Sequence, residues 1–581
     1  MTRTGASWAV AALAAILVLL LLLPGLGRAP FDDPGEGQHA EIARAAWASG
    51  SLLDLRLNGV RYFDKPPLLY WLIALDFHVW GVSEWAARLP SVVGGALAVG
   101  ATALLGARLV DPRAGVLAGA ALASSALFLV FGRYVRPETL FVAAIQLGLT
   151  GLLLAIRAGE GRKGWAVVGC ASLGAAALVK DPLGLIAPLA AVAVGLAVSG
   201  RLRPIRSWLP PLGVALMLAL GLGWYAWAAL THRGFLWYTV VDNHLLNAVG
   251  RRRFPDEDVP LSALEFLAVS AFGAFPWIVA AAGGVVSLVH RRAWRDAEEM
   301  PWIALAIWTI GLWALFSLSA FKLPHYALPA YPALALLAAR WWSEDDAGRR
   351  WPATLHAGLF ALLAISLGLI AAGNGAAFLN AVFSATDVYT RKEAMGAQAS
   401  PLPPWGALQP LVARTALVLG AGAIALVVCA WRRTRRWTGA VVAATMLAVM
   451  PSALRALEIV SAGRAVAGLA AEVRRLATPE TVLVHEGPIE NSGALELYAG
   501  RHPILVDAQR SVLGIGATFP DSAPAFWTGA ALREAWLSGA SLLLVTPRDP
   551  RHSVIATLPA DRVTLLRAEN GRWLYASVPR R

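Results

Sequence analysis

The sequence predicts a polytopic α-helical membrane protein of about thirteen transmembrane helices, with a small soluble α/β domain at its C-terminal end. Apolar runs of 17 to 25 residues recur along most of the chain, each long enough to cross ~30 Å of hydrocarbon. The composition is 57% hydrophobic and 15% charged, whereas a soluble domain is about half apolar and a quarter charged. Beyond Arg455 the long apolar runs stop, and short apolar stretches bounded by turn residues replace them.

The spans fall at 8–25, 89–108, 114–131, 140–157, 165–180, 183–199, 208–230, 263–289, 301–320, 326–340, 353–373, 411–431 and 438–452. The first, with Arg3 ahead of it, also has the make-up of a signal-peptide core, but the similar spans that follow favour a retained helix. Cys170 and Cys429 both lie inside spans and read as packing residues rather than a disulfide. The net charge of +13 would suit nucleic acid if it were clustered, yet most of the arginine sits in short loops between spans. With a cytoplasmic N-terminus, those loops hold Arg108 and Arg113; Arg157, Arg162 and Lys163; and Arg201, Arg203 and Arg206. The later ones hold Arg291, Arg292 and Arg295; Arg340, Arg349 and Arg350; and Arg432, Arg433, Arg435 and Arg436. The positive-inside rule then fixes the orientation, and an odd number of spans places the tail outside.

Two domains follow: a transmembrane part over 1–453 and a soluble part over 454–581. In the second, Glu458 to Leu476 reads as a helix, TVLVHEG, HPILVDA and SLLLVTP as buried strands, and Val563 to Val578 as two more. Three outer loops are long, at 28–88, 231–262 and 374–410. Gly37 to Ser49 in the first has the pattern of an amphipathic helix lying in the membrane interface, and Leu68 to Trp80 that of a second interfacial or re-entrant segment.

Candidate chemistry gathers on the outer side. Asp32, Asp33 and Glu36 follow directly on the first span, around a turn shaped by Pro34, Gly35 and Gly37. Glu41 has Arg44 three residues on as a partner. Only five of 50 basic residues are lysine, and Lys65, Lys180 and Lys322 stand at outer span ends, each next to proline or one residue from it, in DKPP, VKDP and FKLP. Lysine at a span end commonly snorkels to the headgroups. Three ammonium groups on the face where basic residues should be scarce also suit a phosphate held at the membrane. GRYVRPET adds Arg133, Tyr134, Arg136 and Glu138, and FKLPHYALPAYP adds His325, Tyr326 and Tyr331. Trp237, Tyr238, Asp242, Asn243 and His244 suit either a sugar ring or an aromatic belt. There is no P-loop, dinucleotide fingerprint, H-E-x-x-H or C-x-x-C, so a soluble nucleotide donor has no cradle.

The stretch GEGQHAEIARAAWASGSLLDLRLNGVRYFDKPPLLYWL resembles the first-loop signature of bacterial membrane glycosyltransferases of the GT-C type, the aminoarabinose transferase and protein mannosyltransferase-like group. RPETL, LVKDPLG and FKLPHYALPAYPALALL resemble later blocks of that family. The resemblance implies a GT-C-like fold and inverting transfer of a sugar from a polyprenyl-phosphate carrier to a lipid, glycan or protein acceptor, at the outer face of a bacterial inner membrane. It implies a first-loop carboxylate as base. Many relatives read Asp-Glu where this chain has Gly35-Glu36, so Asp33, Glu36 and Asp32 are the candidates. Lys65, with Arg136 or Lys322, would hold the donor phosphate, and His39, Glu138, Lys180, His325 and Tyr326 would contact substrate. No cofactor is called for, although a divalent metal could join the acidic cluster. The competing class, a transporter or lipid flippase, would instead place ionisable residues near the middle of spans.

Overall fold

The computed structural model describes residues 3–158, 163–200, 205–255, 259–343, 350–386, 402–508 and 513–577. Arg162, Arg201, Arg203 and Arg349 of the basic loops, and the middle of the outer loop 374–410, lie outside them. The chain is a multi-span membrane protein.

Its helices are α1 (Arg3–Leu22), α2 (Gly37–Ser49), α3 (Leu68–Trp80), α4 (Glu84–Leu109), α5 (Pro112–Ala123), α6 (Ala126–Gly132), α7 (Glu138–Ala158), α8 (Lys163–Val179) and α9 (Leu183–Val198). They continue as α10 (Ile205–Trp208), α11 (Pro211–Thr231), α12 (Ala263–Gly273), α13 (Trp277–His290), α14 (Met300–Leu318), α15 (Tyr331–Ser343), α16 (Trp351–Ala372), α17 (Ala376–Thr386), α18 (Trp405–Trp431) and α19 (Arg435–Ala462).

A helix or bent helix pair stands at each of the thirteen predicted positions, but the spans are not uniform. Among the described residues eight helices are long and apolar enough to cross, or ten if each bent pair counts as one. The helices α8, α9 and α15 are shorter, at 17, 16 and 13 residues. The pair α5 and α6 bends by 70° at Ser124 and Ser125. There both hydroxyls bond back to carbonyls four residues earlier, at 2.6 and 2.9 Å, which loosens the helical ladder. The predicted span 263–289 is broken by 102° at Pro276, whose ring and missing N–H cannot continue α12.

Beyond the membrane part stands an α/β unit with helices α20 (Ala467–Leu476), α21 (Gly493–Ala499) and α22 (Gly529–Leu537). Its strands, counted after a short hairpin of β1 (Arg56–Leu57) and β2 (Val60–Arg61), are β3 (Val482–Glu486), β4 (Ile504–Val506), β5 (Phe526–Trp527), β6 (Leu542–Thr546), β7 (Thr564–Glu569) and β8 (Arg572–Ala576). The sheet order is β5-β4-β3-β6-β8-β7, parallel from β5 to β6 and antiparallel at β8 and β7. Val484 and Leu544 pack with Trp536 on one face. Leu483 and Val545, on the other, join the apolar core that runs down between the membrane helices. The predicted single helix 458–476 is two, because the chain turns at Gly463 to Val466 to pair Ala465 with Asp32 of the first loop.

The helix α2 does not lie in the membrane interface as its pattern suggests. Most of its first ten residues are buried, between α3 and α21 of the α/β unit.

Candidate active site

The densest acidic cluster is a brace. Asp32 accepts the Tyr134 hydroxyl on both oxygens, at 2.6 and 2.5 Å, and takes the Glu36 N–H at 3.0 Å. Glu36 is fully buried and forms a two-pronged pair with Arg88, with Nε at 2.8 Å from Oε1; the Val135 N–H adds a third donor at 2.9 Å. Arg88 spends its remaining N–H groups on the carbonyls of Leu26 and Ala29, at 2.7 and 2.8 Å. The carboxylate of Asp33 points to the α/β unit and accepts the Ala494 N–H at 3.0 Å. Burial pushes Asp33 up to about 7, against the pull of Arg572. None of the three acids lines the large cavity formed by the described residues.

That cavity lies beside them. It measures about 570 Å³ and collects the ends of several elements. Glu138 is the first residue of α7, set by Pro137 and favoured by the positive end of the helix. Lys180 directly follows α8, where a cation complements the carbonyl end. The Nζ of Lys180 is 3.3 Å from Glu138 Oε1, and Nε2 of His325 is 3.4 Å from the same oxygen. His325 comes from a 3₁₀ turn, Pro324–Ala330, whose Tyr326 ring lies 5.2 Å from the Lys180 ammonium. Lys65 enters just before Pro66 and Pro67, which start α3, and pairs with Asp64. Burial opposes the charge on Asp64, yet Lys65 and Arg252 hold its carboxyl below the usual range. His39 bonds Tyr70 Oη at 2.9 Å through Nδ1, and burial followed by the field of Arg136 pushes it down to about 3, so its ring is neutral. A π-helical turn, Trp237–Leu246, contributes Thr239, Asn243 and His244. Its Asp242 accepts the N–H groups of Arg253 and Phe254, at 2.5 and 3.3 Å, which folds the following arginines back and brings Arg252 to the cavity, bonded to Asn243. Phe141, Ile145, Leu312, Leu315 and Phe316 add apolar side chains to its wall.

Of the residues singled out from sequence, His39, Lys65, Arg136, Glu138, Lys180, His325 and Tyr326 all line this one cavity. Asp32, Asp33, Glu36 and Lys322 do not. Lys322 turns its ammonium to the Ser319 carbonyl, at 2.6 Å. Asp64, Arg252, Gln38 and Glu490 line it without having been singled out. Asp64 had a visible signal, as the acid next to Lys65, whereas Glu490 comes from the α/β unit, hundreds of residues away. A divalent metal does not fit the acidic cluster, whose oxygens are taken by Tyr134, Arg88 and Ala494; among the described residues no three His, Cys, Asp or Glu side chains converge elsewhere.

Residues 64–227 match the family model described as dolichyl-phosphate-mannose-protein mannosyltransferase. Over 351 residues the chain is 31% identical to the undecaprenyl phosphate-alpha-4-amino-4-deoxy-L-arabinose arabinosyl transferase of Pseudomonas paraeruginosa. The chain of the crystal structure of ArnT from Cupriavidus metallidurans bound to undecaprenyl phosphate superposes with a TM-score of 0.79, at 24% identity over 97% of both chains. In sequence the chain resembles the aminoarabinose transferases over a little more than half of its length. It shares the ArnT fold from end to end, α/β unit included. The sequence match to the Pseudomonas paraeruginosa transferase covers 57% of this chain and 60% of that one; for the Pseudomonas aeruginosa enzyme, at 30% identity, the shares are 52% and 54%. The chain thus aligns with little more than half the length of these relatives.

Proposed function

We propose that this protein is an inverting membrane glycosyltransferase that moves a sugar from a polyprenyl-phosphate carrier to a lipid acceptor of the lipid A type. The observation that carries this reading is the cavity's mixed lining. Lys65, Arg136, Lys180 and Arg252 supply cations that suit a phosphate, and apolar side chains of α7 and α14 in the same wall suit the first isoprene units. The names of the relatives agree, since they act with undecaprenyl phosphate. Basic loops on the opposite side support a cytoplasmic N-terminus in a bacterial inner membrane, with the 454–581 domain in the periplasm. The charged groups sit at helix ends rather than mid-span, which suits surface chemistry better than transport.

A first-loop carboxylate serves as base in this reading, and it is Asp64, not the buried braces Asp32, Asp33 and Glu36. Lys65 exchanges Asp64 for the incoming donor phosphate. The carboxylate so released takes the proton of the acceptor hydroxyl as that oxygen attacks the anomeric carbon from the face opposite the phosphate. Lys65 and Arg136 stabilise the charge that develops on the departing polyprenyl phosphate.

The test is sugar transfer by the purified chain in liposomes, with carrier-linked sugars supplied as membrane lipid extract. Asp64→Asn is expected to lower turnover by about 10²- to 10⁴-fold with the protein still folded. Lys65→Ala is expected to lose turnover together with affinity for undecaprenyl phosphate. Full activity in Asp64→Asn removes it as base. A folded wild type that transfers from no polyprenyl carrier would favour the transporter class instead. Mass spectrometry of the product distinguishes a lipid acceptor from a glycan or a protein.

A further inference from the structure

One wall of the cavity is built by two parts of the chain that are remote in sequence. Gln38, on the second residue of α2, and Glu490, on the turn Ile489–Asn491 between β3 and α21, both line it. Both are buried, at 7% and 2% exposure. Gln38 Oε1 has no hydrogen-bond partner among the described residues. The side-chain oxygens offered here are acceptors, and the cavity's cations lie on other elements. Ring hydroxyls of a sugar are the donors that match such a wall.

The contact that sets this wall is close. A Cβ on Gly493 would come within 2.4 Å of the Gln38 nitrogen, so the two backbones touch. Asp33 fastens the junction by accepting the Ala494 N–H, four residues after Glu490, while Arg572 of β8 donates to the Asp33 carbonyl at 2.8 Å. Asn58, at the tip of the first-loop hairpin, donates to the Pro503 carbonyl at 2.6 Å and ties the same two parts together.

We infer that Gln38 and Glu490 form a sugar-hydroxyl subsite, one half of it carried by the C-terminal domain, and that Asp33 is the positioning residue that docks that half. The inference rests on the transferase reading and extends it, because it makes the soluble domain part of the substrate site. It also gives the first-loop aspartate a role other than proton transfer.

The experiment measures binding, not turnover. The full chain in detergent is titrated with undecaprenyl phosphate, free and carrying either 4-amino-4-deoxy-L-arabinose or a hexose. Wild type is expected to bind one of the glycosylated carriers at least about tenfold more tightly than the free one, a difference of about 1.4 kcal/mol. Glu490→Gln and Gln38→Ala should lose that preference while holding affinity for free carrier within about twofold. Asp33→Ala should lose it too, Asp33→Asn, which keeps an acceptor oxygen for Ala494, should retain it, and Asp33→Ala with Glu490→Gln should be no worse than the poorer single variant. Equal binding of free and glycosylated carriers by wild type overturns the subsite and leaves the transferase reading standing. So does a Glu490→Gln variant that weakens both carriers alike. Binding of no carrier at all overturns both.

Discussion

At the scale of single residues, the acids that stand out in the sequence brace the fold, and the acid proposed as base is the less conspicuous Asp64. Glu36 and Arg88 make this testable. Each is buried and each is the other's counter-charge, so removing one leaves an uncompensated ion, which typically costs about 3–5 kcal/mol. Arg88→Ala should therefore collapse thermal stability in detergent. Glu36→Gln should lose stability by more than it loses turnover per folded molecule. A Glu36→Gln protein that melts like wild type but fails to transfer would restore Glu36 as a candidate base. The cluster itself was legible because carboxylates are scarce beside a span. Its role was not, since Arg88 and Tyr134 lie 52 and 102 residues further on and nothing local marks them as partners. Lys65, Glu138 and Lys180 were legible for a local reason: each stands next to proline or one residue from it at an end of an apolar run, and helix ends are where this cavity is built.

At the scale of elements, periodicity located α2 correctly but misjudged its surroundings. A narrow polar stripe reads the same whether it meets headgroups or another domain, and here it meets α21. The glycines carry the information the stripe lacks. A Cβ on Gly37 would sit 2.4 Å from the Ala494 nitrogen, and one on Gly493 equally close to that of Gln38. Gly493→Ala is expected to force α21 off α2, seen as new protease cleavage in the C-terminal domain together with at least a tenfold loss of sugar transfer. Gly529→Ala, where a Cβ meets open space, is the control and should change stability by no more than about 0.5 kcal/mol. Equal behaviour of the two variants would mean that the close approach of α2 and α21 does not hold the domains together. The hairpin at Asn58 and Gly59 shows the opposite case. Both residues have φ above zero, at 50° and 76°, and Asn-Gly is the standard signal for such a turn, one that the expected pair of interfacial segments left unused; its role as a tie to Pro503 has no local signal at all.

At the scale of the whole molecule, the junction between the first loop and the α/β unit is built from groups that hold protons more tightly docked than free. Burial pushes Asp33 up to about 7. Burial pushes Glu41 up to about 8, with Arg44 pulling down and Glu496 of α21 pushing up beside it. His502, which pairs with Glu496, is raised as well. An unfolded or undocked Asp or Glu titrates near about 4, so the stability these two acids contribute is present below that pH. It is lost as the pH climbs through about 7 for Asp33 and about 8 for Glu41. The slope therefore runs opposite to that of a salt-bridged carboxylate, and alkaline conditions should loosen the domain. Glu41→Gln isolates the effect, because it keeps the shape and removes the titration. Its melting temperature should match wild type near pH 5 and exceed it by a few degrees at pH 8.5. Amide exchange across 493–499 should show the same divergence locally. Parallel melting curves for the two proteins across that range would show that Glu41 is already ionised in the docked state, balanced by Arg44, and that the junction carries no proton linkage through this pair.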